Sequence, residues 1–222
     1  MDDYHFSYLT ARDGMAQNTV NHIYKDSYGF MWFATWNGLN RFDGYEFIRY
    51  GRHTKKDAIQ SLFVSTIAED NYKTLWVGTE EGISLIDLSS GEVKDITDKP
   101  YAGHKIFTAS VHTFALDSIG NLWVGYEGGL AHVSFQPSGE IAKVTSVQEE
   151  EAMAVLSLYV DPQNRIWVGY RDTGIRVLNW VSGQTFQIYP APGSLSDLNH
   201  GTVFCFYPDN EFLWIGSDIG LF

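Results

Sequence analysis

One motif occurs five times in this chain, and it constrains the fold more than any other feature of the sequence. In its clearest copy, residues 111–130, an apolar run of strand length leads into Asp117-Ser-Ile-Gly120 and then into Leu122-Trp-Val124. Asp and Gly are favoured in tight turns, and the flanking runs are rich in β-forming residues. Each copy therefore predicts two short strands joined by a turn. The tryptophan of the motif recurs at intervals of 44 or 47 residues, as Trp32, Trp76, Trp123, Trp167 and Trp214.

Other residues repeat in step with the tryptophan. They are a valine and an apolar residue before the turn, the turn aspartate, a small residue after the tryptophan, and a Gly-apolar pair. A period in the mid-forties built of short strands is typical of a β-propeller blade. Helical solenoids share the period, but no copy contains an extended run with helical spacing. The repeated aspartates are Asp26, Asp70, Asp117, Asp161 and Asp209.

The repeat predicts an all-β fold, a β-propeller with four complete four-stranded blades and a partial fifth. The strands of a blade are lettered A to D from the axis outward. Strand A ends at the repeated aspartate, and strand B contains the tryptophan. A further strand is predicted at residues 4–10. The predicted blades are residues 19–50, 63–97, 110–148 and 154–189, with the partial fifth at residues 202–222.

The fifth repeat stops as its strand C begins, so we expect the chain to be the N-terminal part of a larger propeller. Residues 4–10 stand where a strand D would stand and could complete a last blade, since propellers close by pairing strands from both termini. An open arc leaves sheet faces unpaired. The expected protein partners are therefore the remaining blades and downstream domains of the same protein, or a second copy joined through the open ends.

The composition excludes several classes of partner. Lys and Arg number 15 against 27 Asp and Glu, a net charge of −12, which argues against nucleic acids and anionic membranes. No run of about 18 apolar residues exists, so no contact of this segment with a membrane is expected. The single cysteine, Cys205, lies in an apolar run and is interpreted as a small buried residue.

No cofactor or metal is expected. The seven histidines form no His-x-x-x-His pair, and neither a Gly-x-Ser-x-Gly motif nor a phosphate-binding loop is present. The repeated tryptophans and aspartates are interpreted as structural, because a residue found in every blade suits packing between blades or a hairpin turn. A metal column built from the aspartates is the less favoured alternative.

Candidate binding residues stand where the repeats differ. The B–C turns and D–A connectors of a propeller surround one mouth of its channel, and variable residues on a fixed frame commonly carry function. Aromatic rings stack on sugar C–H faces and planar polar groups bind hydroxyls, so an oligosaccharide is the expected ligand. The alternative is that these are ordinary turn residues in contact with other blades. The candidates are Trp36, Asn37, Glu80, Tyr126, Tyr170, Arg171 and Asp172.

The segment from Asn18-Thr-Val-Asn-His-Ile-Tyr-Lys-Asp26 to Met31-Trp-Phe-Ala-Thr-Trp-Asn37 resembles the first repeat of the two-component regulator propeller family. The later Leu-Trp-Val-Gly copies fit the same repeat, although Ala34 replaces the usual glycine of the first one. The resemblance implies the periplasmic sensor region of a hybrid two-component histidine kinase. Such regions typically contain two seven-bladed propellers and a β-sandwich, followed by a transmembrane helix and cytoplasmic kinase, receiver and DNA-binding parts. Members commonly respond to oligosaccharides released from glycans and regulate the genes for their use.

Three functions stay open on the sequence alone. The first is a non-catalytic sensor fragment. The second is a propeller enzyme, such as a lyase or hydrolase that acts on polysaccharide or a protein similar to streptogramin lyase. Its acid–base candidates at the mouth are Glu80, Glu81, Glu127 and Asp172. The third is a general protein-interaction propeller.

Overall fold

The computed structural model describes residues 6–51, 58–96, 98–147, 153–181, 184–189, 198 and 200–222. These residues form five antiparallel sheets, one for each repeat, and the prediction of an all-β propeller is confirmed. The first strand of each sheet contacts the first strand of the next, so these strands lie innermost around a common axis. Two short 3-10 helical turns, Ala11–Asp13 and Lys105–Phe107, lie outside the sheets.

Each blade is an antiparallel meander. Blade 1 consists of β1 (Val20–Lys25), β2 (Met31–Thr35), β3 (Gly38–Phe42) and β4 (Phe47–Tyr50). Blade 2 consists of β5 (Val64–Glu69), β6 (Thr74–Thr79) and β7 (Gly82–Asp87). Blade 3 consists of β8 (Val111–Leu116), β9 (Leu122–Tyr126), β10 (Gly129–Phe135) and β11 (Ile141–Ser146). Blade 4 consists of β12 (Val155–Val160), β13 (Arg165–Tyr170), β14 (Ile175–Val181) and β15 (Gln184–Tyr189). Blade 5 consists of β16 (Val203–Pro208), β17 (Leu213–Ser217) and β18 (Gly220–Leu221).

The repeated aspartate braces the first hairpin of each blade. In blade 1, Oδ1 of Asp26 accepts hydrogen bonds from the backbone N–H groups of Tyr28 and Phe30, at 3.0 and 2.9 Å. Its Oδ2 accepts a hydrogen bond from Nε1 of Trp32 at 2.7 Å. The carboxylate therefore holds both the turn and the strand that follows it. Blades 2, 4 and 5 repeat the Trp–Asp bond, between Trp76 and Asp70, Trp167 and Asp161, and Trp214 and Asp209.

Neighbouring blades pack through the repeated valine and the small residue after the tryptophan. A Cβ atom added to Gly125 of blade 3 would lie 2.6 Å from Cγ1 of Val155 in blade 4. Gly78 meets Val111 in the same way, at 2.9 Å. Ala34 takes the glycine position in blade 1 and is fully buried. The columns that define the repeat in the sequence are thus the contact surfaces between blades.

The tryptophans of inner blades are covered by aromatic residues of the following blade. Trp76 packs edge-on against Phe114 and Phe135, with ring centroids 6.4 and 5.9 Å apart. Trp167 packs in the same manner on Phe206 at 6.4 Å. Trp214 of blade 5 is 40% exposed, since no described residues form a blade beyond it.

Blade 2 differs from the predicted four strands. Its sheet has three, and the fourth is reduced to an isolated bridge between Ile86 and Val93. The N–H of Lys94 still donates to the carbonyl of Leu85 at 2.7 Å. Beyond it, Ile96 packs against the apolar core that blades 2 and 3 share. Beyond the bridge, no described residue continues a fourth strand along the edge of β7.

The strand predicted at residues 4–10 is not formed at residues 6–10, and the first two of its residues lie outside the described ones. Thr10 caps the 3-10 turn that follows. Its Oγ1 accepts the N–H of Arg12 at 3.1 Å, and its own N–H donates to Oδ2 of Asp13 at 2.8 Å. Among the described residues no sheet edge pairs with this segment, so its backbone has no ladder to join.

Cys205 is exposed, which corrects the prediction that it is buried. It lies on β16, the innermost strand of blade 5. The equivalent residues of blades 2 and 4, Thr66 and Ser157, are buried because a following blade packs beside them. Cys205 has no such neighbour among the described residues.

Candidate functional site

The turns between the second and third strands of the blades lie on one face of the arc. The register of each first hairpin places the start of the inner strand beside the end of the second strand, as in the pairs Val20–Thr35 and Val111–Tyr126. The channel mouth is defined here as these turns together with the first residues of the inner strands. Variable side chains from different blades therefore share one surface.

Trp36 forms an aromatic platform at the channel mouth. Its Nε1 donates a hydrogen bond to Oδ1 of Asn21 at 3.0 Å, and its ring lies 5.4 Å from that of Phe63. Asn21 in turn donates from Nδ2 to the carbonyl of Val64 at 2.8 Å, which links blades 1 and 2. The indole is thus held in place while 53% of the residue stays exposed.

Asn37 lies in the same turn, and its backbone and side-chain N–H groups each donate a hydrogen bond within the protein. Its backbone N–H donates to Oγ1 of Thr35 at 3.2 Å, and its Nδ2 donates to the carbonyl of Ala16 at 3.4 Å.

A hydroxyl side chain braces this turn in blades 1, 2 and 5. The hydroxyls of Thr35, Thr79 and Ser217 donate to the carbonyls of Gly38, Gly82 and Gly220 at 2.7, 2.8 and 3.0 Å.

Tyr126 and Tyr170 occupy that bracing position in blades 3 and 4, but they are strand residues rather than exposed turn residues. They are 3% and 0% exposed, so the expected stacking faces at the mouth are not available. The hydroxyl of Tyr126 would lie 3.5 Å from a Cβ atom added to Gly129, which is an ordinary van der Waals distance. The guanidinium of Arg176 lies 5.3 Å from the ring centroid of Tyr170. Both tyrosines belong to the packing between blades.

A charged cluster joins blades 3 and 4 at the mouth. Oε1 of Glu127 accepts a hydrogen bond from Nη1 of Arg171 at 2.9 Å. Oε2 of the same carboxylate lies 3.0 Å from Nε2 of His112. We name these three residues the mouth cluster. Partial burial tends to raise the pKa of Glu127, but the hydrogen bonds from His112 and Arg171 outweigh that effect and hold the pKa below its ordinary value.

The remaining candidates are dispersed. Asp172 connects blades 4 and 5, because its N–H donates to Oγ1 of Thr202 at 3.2 Å and its Oδ1 accepts from the same hydroxyl at 3.0 Å. Glu80 is exposed, and its N–H donates to the carbonyl of Phe63 at 3.2 Å. The hydrogen-bond partners described here for Trp36, Arg171 and Asp172 all lie outside the seven predicted site residues. It links Trp36 to Asn21, which the prediction did not include, and Arg171 to Glu127, which was predicted only as an acid–base candidate.

Asn21, which binds Trp36, and His112, which contacts Glu127, occupy one repeat position. Each inner strand has a register shift immediately after its repeated valine, and the residue at the shift is the variable one. Such bulges re-aim a side chain out of the regular ladder. This position can be recognised in the sequence, because the valine before it repeats in every copy whereas the residue itself varies. The five residues at this position are Asn21, Ser65, His112, Leu156 and Phe204.

Blade 3 also lacks the Trp–Asp bond of the other blades. Nε1 of Trp123 is buried without a hydrogen-bond partner among the described residues. The ring of Trp123 packs instead against His132 and Trp180, at centroid distances of 4.6 and 5.1 Å. Nε2 of His132 lies 3.6 Å from Oδ2 of Asp117, the oxygen that binds the indole elsewhere. Oδ2 of Asp117 accepts a hydrogen bond from Nδ2 of Asn121 at 3.2 Å, and Nε2 of His132 is itself buried without a hydrogen-bond partner among the described residues.

Within the described ranges, no group of three or more His, Cys, Asp or Glu side chains has the arrangement of a metal site. The described helical turns are too short to cross a bilayer.

Two segments of the sequence match the model of the two-component regulator propeller family. Its family model matches residues 14–37 and residues 58–81, which include the first strands of blades 1 and 2. No curated protein sequence matches the chain.

Solved structures share the fold. The extracellular domain of a protein described as a hybrid two-component system from B. thetaiotaomicron is 22% identical, with a TM-score of 0.74 over 97% of this chain and 30% of the other. A second such domain from the same organism is 19% identical, with a TM-score of 0.56, and 34% of its length is covered. The chain therefore spans about a third of these proteins. A virginiamycin B lyase from Staphylococcus aureus is 15% identical, with a TM-score of 0.65 over 91% of this chain and 64% of the lyase.

Proposed function

Because the chain carries two-component regulator propeller repeats, we propose that it is part of the ligand-sensing, non-catalytic propeller of a hybrid two-component signalling protein on the periplasmic side of a membrane. The ligand is an oligosaccharide released from a glycan, and the regulated genes serve its use. The family match and the fold shared with two extracellular domains of such systems support this proposal.

The exposed, immobilised Trp36 ring is the observation that carries the proposal. A stacking platform binds best when its orientation is fixed before the ligand arrives, because little side-chain entropy is then lost. The hydrogen bond to Asn21 and the packing on Phe63 hold the Trp36 ring in one orientation. Sugar rings present an apolar C–H face to such an indole, and their hydroxyls bind planar polar groups nearby.

The mouth cluster supplies the polar groups. Arg171 binds Glu127 through one nitrogen, and the guanidinium has further N–H donors for ligand hydroxyls. Because Arg171 comes from blade 4 and Glu127 from blade 3, a ligand that binds both also bridges two blades. Ligand binding would in this way stiffen the arc, which is a means of passing a signal to attached domains.

The charges at the mouth support a binding role over catalysis. A general acid needs a carboxyl whose pKa is raised towards neutral pH. Glu127 has the opposite shift, since His112 and Arg171 both stabilise its charged form. Asp172 is engaged by Thr202 in the contact between blades 4 and 5.

The proposal includes protein partners at the two ends of the arc. Trp214 at one end and Ile23 at the other are exposed, whereas inner blades cover the equivalent residues. We expect the remaining blades of the same protein to cover these faces, and a second copy to do so in the isolated chain.

The test is isothermal titration of the chain with a panel of neutral and acidic oligosaccharides, each followed by chromatography of the sugar after incubation. Saturable binding of at least one oligosaccharide with no change in its length supports the proposal. Sustained cleavage of a glycan would instead support the lyase or hydrolase alternative. Binding of a partner protein and of no sugar would support an interaction propeller.

A further inference from the structure

A cavity of about 480 Å³ lies between blades 2 and 3 on the face opposite the channel mouth. It opens beside the hairpin turn of blade 2 at residues 70–74 and the turn at residues 138–141 of blade 3. Its volume is in the range of about 300–1,000 Å³ that is typical of small-molecule sites. The reduced outer strand of blade 2 borders it, because the backbone leaves the edge of β7 after Lys94.

The cavity has an apolar floor. Five apolar side chains from both blades line it, and three of them are fully or almost fully buried. A floor of this kind suits an apolar group of the ligand. The five side chains are those of Trp76, Leu85, Ile96, Phe135 and Ile141.

The cavity is lined by charged side chains of both signs, which include Asp87, Asp95, Glu140, Lys94 and Lys99. Lys99 and Glu140 both line the cavity and are exposed, and within the described ranges they form no ion pair. Lys94 is already engaged, since its Nζ donates to Oγ1 of Thr74 at 2.7 Å and lies 3.9 Å from Oδ2 of Asp87. Lys99 and Glu140 are thus left for a ligand.

Tyr101 marks where the rim meets the floor. Tyr101 and Glu140 both line the cavity. Burial raises the pKa of the Tyr101 phenol, and the negative charge of Glu140 raises it further. The ring of Tyr101 packs on Phe107 at 5.5 Å, so the wall is rigid. An ammonium group bound to Glu140 would therefore also lie near an aromatic ring.

We propose that this cavity binds a small amphipathic zwitterion, a free α-amino acid with an aromatic or large aliphatic side chain. The side chain packs on the apolar floor, the carboxylate pairs with Lys99, and the ammonium pairs with Glu140. This site is separate from the channel mouth and does not depend on sugar binding there.

The experiment titrates the chain with L-phenylalanine, N-acetyl-L-phenylalanine and L-phenylalanine amide by calorimetry. The acetylated probe lacks the ammonium, and the amide lacks the carboxylate. Wild-type protein should bind L-phenylalanine at least about tenfold more tightly than either derivative, because each has lost one charge-assisted contact. Absence of L-phenylalanine binding, or equal affinity for all three probes, would overturn the proposal.

Two variants test which residue binds the ammonium group of the ligand and which binds its carboxylate. Glu140→Gln should bind L-phenylalanine about tenfold more weakly and no longer distinguish the acetylated probe, and Lys99→Gln should no longer distinguish the amide. Lys143→Gln, an exposed change on β11, is the matched control and should bind as wild type. Because the three residues are exposed, equal unfolding midpoints will show that the variants are folded. Wild-type affinity in both Glu140→Gln and Lys99→Gln would contradict the assignment.

Discussion

Cγ1 of Val155 lies where a Cβ atom on Gly125 would approach it to 2.6 Å, so blades 3 and 4 meet with no room for a larger residue. The same valine–glycine contact recurs between blades 2 and 3. It explains why both residues repeat with the tryptophan: each blade must fit closely against the next to exclude water from the apolar columns between them.

Gly125→Ala should therefore destabilise the protein. The added methyl group overpacks a tight contact, and we expect a loss of about 1–3 kcal/mol in the free energy of unfolding, measured by urea denaturation. Gly103→Ala is the control, because nothing lies within 4 Å of its added Cβ. Equal stability of the two variants would contradict this account of the repeat.

The tryptophans of blades 2 and 3 should respond differently to loss of the indole N–H. Trp76→Phe leaves Oδ2 of the buried Asp70 without its donor, at a cost of about 1–3 kcal/mol beyond the loss of ring area. Trp123→Phe loses similar area but removes an N–H that has no partner among the described residues. Chemical denaturation should show the larger loss for Trp76→Phe. A larger loss for Trp123→Phe would show that its N–H is satisfied in solution.

The repeat predicted the fold because each of its columns has a packing role that is local to one blade or to the contact with the next. Aspartates in turns, valines against glycines and tryptophans between blades all recur in fixed register. The prediction that Cys205 is buried was wrong because it considered one blade alone. Its apolar neighbours indicate a strand that is buried in a blade, but burial also requires a following blade.

The candidate site was less predictable. Tyr126 and Tyr170 stand where threonines form the turns of blades 1 and 2, and the sequence does not show that their rings turn inward. The bond between His112 and Glu127 depends on the bulge after Val111, which re-aims one side chain. Such a shift of register changes which groups meet without changing the hydrophobic pattern.

The mouth cluster should contribute to stability only when Glu127 is ionised. The pKa of this carboxyl is lower in the folded protein than its ordinary value of 4.5, so its contribution is fully present above pH 4.5 and is lost as pH falls through the folded pKa. Glu127→Gln should therefore be slightly less stable than wild type at pH 7, by less than about 1 kcal/mol because Glu127 and Arg171 are about half exposed.

Urea denaturation of both proteins between pH 7 and pH 3 measures this effect. The difference between wild type and Glu127→Gln should shrink towards zero as the pH falls below 4.5. A difference that grows as the pH falls below 4.5 would contradict the assignment of His112 and Arg171 as the groups that lower this pKa.

The isolated chain should self-associate through its open ends. Phe204 and Leu221 expose large apolar surface on blade 5, and Ile23 does so on blade 1. Light scattering after size-exclusion chromatography should show a mass that rises with protein concentration. Phe204→Glu should shift the population towards the monomer, whereas Tyr45→Glu, a change at an exposed loop position, should not. A wild-type chain that is monomeric at every concentration would rule out this association.

The most direct test of the sensor proposal is the affinity of Trp36 variants for the oligosaccharide that binds best in the panel. Trp36→Ala removes the platform and should weaken binding at least about tenfold, and Trp36→Phe should retain part of it because a ring remains. Tyr45→Ala is the control for loss of an exposed aromatic residue elsewhere. The account predicts the order wild type, Trp36→Phe, Trp36→Ala in decreasing affinity, with Tyr45→Ala equal to wild type. Unchanged affinity in Trp36→Ala would contradict it.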